Sequence, residues 1–372
     1  MSRLEATRGD RVVVKVGTAS LVGDDGLPED ARLESLCDGI AQLRSDGIDA
    51  ILVSSGAIGA GLGPLGLRSR PSDIPSLQAA AAVGQGRLLG RYIRLLGDKG
   101  AVGAQVLLTR YDFMHRQQYL NARNTLDRLL GLGAVPIVNE NDTVAVDEIR
   151  FGDNDRLAAL VANLARARLL ILLTDTKGVH AADPRRHPDA PVLDEIDRIT
   201  PELERAAGGR GSDLGSGGMA SKLAAAWVAT FSGVAVVVAH ASEPSVLSRI
   251  CRGDRVGTYF HPHPKRASAR RLWIAFGQPP RGTVVVDAGA RRAVVDDKRS
   301  LLPVGVVAVN GSFSAGDTVD LAVNDNEVFA RGLVRYSSDE LNESRGRRTT
   351  EIAGREVVHR DHMIILEGTD DE

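Results

Sequence analysis

Two lysines lie where this chain could gather positive charge around a phosphate. Lys15 sits in Val14-Lys15-Val16-Gly17-Thr18, at the end of an aliphatic run, and Lys222 closes the stretch Gly215-Ser216-Gly217-Gly218-Met219-Ala220-Ser221-Lys222. A lysine pointing inward from a hydrophobic strand is costly unless it meets an anion, and Gly17 beside it lets the backbone bend toward a ligand. The glycine-rich stretch opens an alanine-rich segment. The free N–H groups of a helix start there, with Lys222 one turn in, can hold the β- and γ-phosphates of a nucleotide. Ser54-Ser55-Gly56-Ala57-Ile58-Gly59 offers similar N–H groups to a phosphate or a carboxylate. Two polar stretches, Asn139-Glu140-Asn141-Asp142 and Gly152-Asp153-Asn154-Asp155, complete the set. The first follows Ala134-Val135-Pro136-Ile137-Val138 and so stands at the carboxyl end of a strand, where open α/β sheets place their ligands. The run Leu169–Leu173 ends in Thr174-Asp175. Its acid can steer a lysine or touch a nucleotide, and a helix-capping role is an equally ordinary reading.

Other chemistries find little support. The lysine loop lacks the order of a Walker A motif, and the His-Arg-Asp and Asp-Phe-Gly signatures of protein kinases are missing. Gly61-Leu62-Gly63-Pro64-Leu65-Gly66 matches the dinucleotide spacing, but it begins well past the strand, contains a proline and has no acid about twenty residues on. The eight histidines show no metal-ligand spacing, and no nucleophile elbow or Cys-His pair is visible, so no protein metal site is expected. The net charge of -2 argues against a dedicated nucleic-acid binder. Cys37 and Cys251 lie far apart, and no signal peptide or membrane-spanning run is seen, so a reduced, cytoplasmic protein is expected.

The elements that must position these residues read as α/β. Val12–Val16, Ala50–Val53, Val102–Leu107, Val135–Val138, Leu169–Leu173 and Val234–Val238 are nearly continuous aliphatic runs, the pattern of strands covered on both faces in a mostly parallel sheet. Helices are expected at Arg32–Ser45, Ser76–Gly97, Leu120–Leu130, Asp155–Ala165 and Met219–Thr230. The proline-rich segments around His261–Arg266 and Gln278–Gly282 suggest a linker. A large α/β domain over 1–262, a linker over 263–280 and a small domain over 281–368 follow. In the last, Thr283–Val286, Ala293–Val295, Val304–Val309, Asp317–Leu321 and Glu327–Val334 read as short strands of a small, partly closed β-barrel.

Lys15-Val16-Gly17-Thr18, Ser54-Ser55-Gly56-Ala57-Ile58, Asn139–Asp142, Gly152–Asp155, Leu173-Thr174-Asp175 and Gly217–Lys222, in this order, resemble the glutamate 5-kinase family over nearly the whole chain. The tail, with Ser300–Gly305, Gly311-Ser312-Phe313 and Gly316-Asp317, resembles the PUA module of many bacterial members. The resemblance implies a three-layer α/β/α sandwich of the amino-acid kinase fold, with a C-terminal PUA β-barrel. It also implies transfer of the γ-phosphoryl group of ATP, with Mg²⁺, to the side-chain carboxylate of L-glutamate, the first step of proline synthesis. Carried over position by position, Lys15 and Lys222 neutralise the transferring group, and Asp175 orients the lysines and borders the ATP site. Gly17, Thr174, Ser216, Gly217, Gly218, Met219, Ala220 and Ser221 line that site; the family commonly has threonine where Ser221 stands. Ser55, Asp142 and Asn154 bind glutamate, assisted by Asp153 and Asp155. Proline as feedback inhibitor, a homo-oligomer of two or four copies and a glutamyl-phosphate reductase partner are further implications.

The chemistry agrees with that resemblance. A glutamate side chain, with a pKa near ~4.3, is ionised at neutral pH and needs no general base, so catalysis reduces to positioning and positive charge. An acid such as Asp142 suits the substrate ammonium, and a donor such as Asn154 suits its α-carboxylate. Sister kinases acting on aspartate, N-acetylglutamate or UMP remain the nearest alternatives. An RNA role for Lys265, Arg266, Arg270, Arg271, Arg345, Arg347 and Arg348 is a different class. The balanced charge favours a solvated basic linker and loop there.

Overall fold

The structure, a computed structural model, describes residues 3–21, 29–144, 154–184, 186–199, 203, 207, 218–263, 280–323, 327–347 and 355–366. Asp153, Ser216, Gly217 and 264–279 of the expected linker lie outside them. The chain divides into two compact units, Met1–Arg266 and Ala267–Glu372.

In the first unit, eight strands form one sheet in the order β3-β4-β2-β1-β5-β7-β8-β6. They are β1 (Arg11–Val16), β2 (Asp49–Ser54), β3 (Val102–Leu108), β4 (Ala134–Glu140), β5 (Leu169–Thr174), β6 (Glu195–Ile196), β7 (Ala235–His240) and β8 (Thr258–Phe260). β1 pairs in parallel with β2 and β5, the point where strand order reverses, and β8 runs antiparallel to β7.

Alternate strand residues serve two different layers, as the pleat requires. Val12, Val14 and Val16 of β1, with Leu52, Ile137 and Ile171, form one core with Leu33 and Ile40 of α1 (Asp30–Ser45), Leu88, Tyr92 and Leu96 of α3 (Ile74–Gly97), and Leu247 of the short helix Val246–Cys251. Lys15 has the opposite parity and reaches α6 (Asn154–Leu164), which packs on the helix Met219–Phe231. The three-layer arrangement is thus written in the continuous apolar runs, because each face of a central strand is covered.

β3 departs from that expectation. It is an edge strand, with Val102 68% and Leu107 37% exposed, so its aliphatic run is not covered on both faces. Gly61, the first glycine of the dinucleotide-like pattern, has another task, which it shares with Gly84. A Cβ on Gly61, in α2 (Ala57–Leu62), would stand 1.9 Å from the Ala80 carbonyl oxygen, and one on Gly84 of α3 would stand 1.7 Å from that of Ala57. These glycines let two helix backbones touch.

The second unit is a five-stranded sheet in the order β10-β9-β11-β12-β13. Its strands are β9 (Gly282–Val286), β10 (Val306–Gly311), β11 (Thr318–Ala322), β12 (Val328–Val334) and β13 (Val358–Ile365). Val284, Val319, Leu321, Phe329 and Val358 share a core with Leu341. Ala293–Val295, expected as a strand, is the end of the helix Ala288–Val295, which Asp287 caps by accepting from the Ala290 N–H at 2.7 Å. A cap at the start decides the element over the β-branched residues at its end. Among the described residues, no helix is long and apolar enough to cross a membrane.

Candidate active site

The carboxyl ends of β1, β2, β4 and β5 lie together at the strand-order reversal, and described candidates such as Lys15, Ser55, Asn154 and Asp155 stand at or beside them. Asp155 is fully buried in the first turn of α6. Lys15 Nζ lies 2.5 Å from its Oδ1 and Lys222 Nζ 3.2 Å from its Oδ2, while the Ser221 hydroxyl donates to Oδ2 at 2.7 Å. Lys15 comes from β1 and Lys222 from the second turn of the Met219 helix, so one carboxylate ties two lysines from separate layers. Burial pushes the Asp155 carboxyl up, but the two ammonium groups, with the Ser221 hydroxyl, outweigh it and hold it below the usual carboxylate range. Among the described residues, two ammonium groups face this one carboxylate, an arrangement that suits a group that must attract phosphate.

This geometry reassigns two roles. Asp175, expected to orient the lysines, is exposed at the end of β5 and accepts from the Thr174 hydroxyl at 3.0 Å. Asp155 does the orienting, and its complete burial behind the lysines takes it out of the substrate-contact role expected for it. Gly17 has φ −80°, an ordinary extended value, so it does not serve to bend the chain. A Cβ there would sit 3.5 Å from Lys15 Nζ, and its absence keeps the approach to that ammonium open.

The Met219 helix begins at Gly218, which is exposed, with no atom within 4 Å of where a Cβ would be. Ser221 and Lys222 direct their backbone N–H groups back to the Gly218 carbonyl. The N–H groups before them, at Met219 and Ala220, belong to the first turn, whose donors have no intrahelical partner and suit an anion.

On the other side of the lysines stand Ser55 and Asn154. Ser55 is 7% exposed, and its Oγ has no hydrogen-bond partner among the described residues. Such a buried hydroxyl implies a ligand atom or water that completes it. Asn154 was expected to donate to a substrate carboxylate, yet its Nδ2 is committed to the Ser54 carbonyl at 2.5 Å and to Asn139 Oδ1 at 2.7 Å. Both amide hydrogens are spent, leaving Oδ1 as the group it can offer. Asp142 is half-buried in the turn after β4.

Three contributors were not singled out from the sequence. Asn139 sits in the Asn-Glu-Asn-Asp stretch, but its own part, accepting from Asn154, depends on chain neighbours 15 residues apart. Gln85 and Tyr92 of α3 touch Asn139 and Ser54. A glutamine within Ala79-Ala80-Ala81-Ala82-Val83-Gly84-Gln85, a run of small and apolar residues, was the readable signal.

Comparison with known proteins bears on this arrangement. The amino acid kinase family model matches residues 10–240, and the PUA domain model matches 282–354. A glutamate 5-kinase of Geobacter sp. (strain M21) is 45% identical over 363 residues, covering 96% of this chain and 97% of its own. One of Geobacter sulfurreducens is 46% identical, with 96% and 97% covered. Among solved structures, the UMP kinase of Bacillus anthracis is similar at 18% identity and a TM-score of 0.48, covering 68% of this chain and 96% of its own.

Proposed function

The chain belongs to the amino acid kinase family and, within it, to the glutamate 5-kinases, and from that premise we propose how its residues phosphorylate glutamate. The reaction is ATP-dependent transfer of a phosphoryl group to the side-chain carboxylate of L-glutamate. The observation that carries the assignment of roles is the Lys15–Asp155–Lys222 clamp.

The acceptor carboxylate is ionised at neutral pH and is itself the nucleophile. What opposes the reaction is repulsion between that carboxylate and the triphosphate. Lys15 and Lys222 meet the phosphoryl group from two layers of the fold, and Asp155 holds them in place before substrate arrives, so that little reorganisation accompanies the transfer. The N–H groups at Gly218, Met219 and Ala220 receive phosphate oxygens, and Thr174 and Asp175 border the nucleotide; Ser216 and Gly217, which precede Gly218 in the chain, are assigned to the nucleotide with them. On the acceptor side, the Ser55 hydroxyl donates to a carboxylate of the substrate. Asp142 and the Oδ1 of Asn154 take its ammonium, and Asp153, which precedes Asn154 in the chain, assists the acceptor side.

Mg²⁺ fits this site as an ion carried by the nucleotide. Among the described residues, no group of three His, Cys, Asp or Glu side chains could hold a metal, and Asp155 is committed to lysines. Mg²⁺ commonly keeps waters and binds phosphates plus one or two carboxylates; exposed Asp175 is the carboxylate best placed by this fold to supply one. When bound, the ion neutralises phosphate charge.

The product, a mixed anhydride, hydrolyses readily, which suits hand-over to a reductase in proline synthesis. Inhibition by proline at or beside the acceptor subsite, and assembly as a homo-oligomer, complete the reading. The test is hydroxylamine trapping with ATP and Mg²⁺, comparing L-glutamate, L-aspartate and N-acetyl-L-glutamate, with and without proline. Hydroxamate from glutamate alone, reduced by proline, is the expected result. Preference for another acceptor would overturn the substrate assignment while leaving the lysine clamp.

A further inference from the structure

A chain of hydrogen bonds starts on α3 and ends at the acceptor subsite, and two backbone groups fix its polarity. The Glu140 N–H donates to Asn139 Oδ1 at 2.9 Å. A backbone N–H can only donate, so that atom of Asn139 is the oxygen and the other is the NH₂. Asn139 Nδ2 then donates to Gln85 Oε1 at 2.5 Å. At the far end, the Ser54 carbonyl can only accept, so the Asn154 atom facing both Ser54 O and Asn139 Oδ1 is its NH₂. Tyr92, 1% exposed, anchors the same strand end through a 3.0 Å contact between its hydroxyl and Ser54 Oγ.

We infer that Gln85 is a positioning residue for the amino-acid acceptor: through Asn139 it holds Asn154 in place, with Asn154 Oδ1 toward the substrate ammonium. The inference rests on the glutamate reading above and deepens it. Asn139, 3% exposed, and Asn154, 6% exposed, have no bulk water to share their hydrogen bonds. Without an acceptor at residue 85, the buried Nδ2 of Asn139 loses its partner, and because the Glu140 N–H and the Ser54 carbonyl still set which way each amide faces, the relief is for Asn139 to shift toward another partner and draw Asn154 with it. Asn154 Oδ1 then no longer sits where the ammonium is held. The subsite would then favour acceptors without that charge.

The experiment compares Gln85→Leu with Gln85→Glu, measuring KM for L-glutamate and for ATP, and inhibition by glutarate, which lacks the ammonium. Gln85→Leu should raise the glutamate KM about tenfold, the usual cost of leaving one buried donor unpaired, with the ATP KM and the glutarate inhibition constant unchanged. Gln85→Glu still accepts from Asn139 and should keep the glutamate KM near the wild-type value. Gln85→Met, which keeps the length of the side chain and accepts no hydrogen bond of ordinary strength, should reproduce the leucine phenotype, and should carry the test if Gln85→Leu does not fold. A wild-type glutamate KM in Gln85→Leu or Gln85→Met overturns the inference. So does loss of glutamate and glutarate binding together, the mark of a merely structural residue, or a glutamate variant as impaired as the leucine one. Failure of the unmodified protein to turn over L-glutamate would overturn the substrate reading itself, a result the wild-type assay gives before any variant is made.

Discussion

Asp155 is the residue on which the site turns, because among the described residues it is the acid that touches both lysines. Lys222→Ala should lower turnover by roughly 10²- to 10³-fold, the usual loss of one preorganised electrostatic donor, with a smaller change in glutamate KM. Asp142→Ala should raise the glutamate KM most; steady-state kinetics showing the reverse would mean that the charges are divided differently. Asp155→Asn should lower turnover as Lys222→Ala does, since it releases both ammonium groups. It also carries a pH signature. The folded carboxyl is held below its unfolded value, so its contribution to stability is present above the ordinary carboxylate range and is lost as pH falls through the folded pKa. The melting temperature of Asp155→Asn should therefore lie below wild type at pH 7, with the gap narrowing below about pH 4. An unchanged gap would mean that Asp155 is not ionised in the fold. The sequence showed that Asn154 and Asp155 matter but not which does what. On a helix, neighbouring residues point about 100° apart, so one reached the strand ends and the other the lysines, a division that depends on where α6 begins.

α3 was legible as an element long before its purpose was. Its apolar spacing, with Pro75 in the first turn and Asp73 accepting from the Ser76 N–H at 2.9 Å, marked the helix. Its contacts with α2 and with the strand ends did not show, because they join residues about twenty to fifty positions apart. Gly84 is the sharpest case. A methyl there meets the Ala57 carbonyl oxygen at 1.7 Å, and backbone cannot yield as a side-chain tip can. Gly84→Ala should push α2 away from α3, destabilising the fold by about 1–3 kcal/mol. Since α2 follows Ser55 directly, it should also raise the glutamate KM. Gly86→Ala, on the same helix with open space around it, should change neither and serves as control. Equal melting temperatures and KM values for both variants would show that the close helix contact is not what holds Ser55. The missed helix Ala288–Val295 and the exposed β3 have a common cause. Aliphatic runs report burial, whereas caps and sheet edges decide which element forms and which of its faces is covered.

At the scale of the molecule, each compact unit owns a core: Leu33, Leu52, Leu96 and Ile171 among others in the first, and Val284, Leu321 and Phe329 in the second. The break in texture near 261–282 made the existence of two units readable. The second unit's strand order was not, since pairing of β11 with β9 skips β10. The chain carries a built-in reporter that separates the two. Its two cysteines, Cys37 and Cys251, both lie in the first unit's core, and burial pushes each thiol up to about 12. Neither is a thiolate at neutral pH, so neither should react with a thiol reagent until the first unit opens. Phe329 is fully buried in the second unit, and Phe329→Ala should cost that unit about 3–5 kcal/mol. Calorimetry on this variant should show a lowered transition for the second unit, while the denaturant midpoint for thiol release and the glutamate KM stay at wild-type values. If thiol release shifts in step with the lost transition, the two cores unfold as one, and the catalytic unit depends on its C-terminal neighbour for stability.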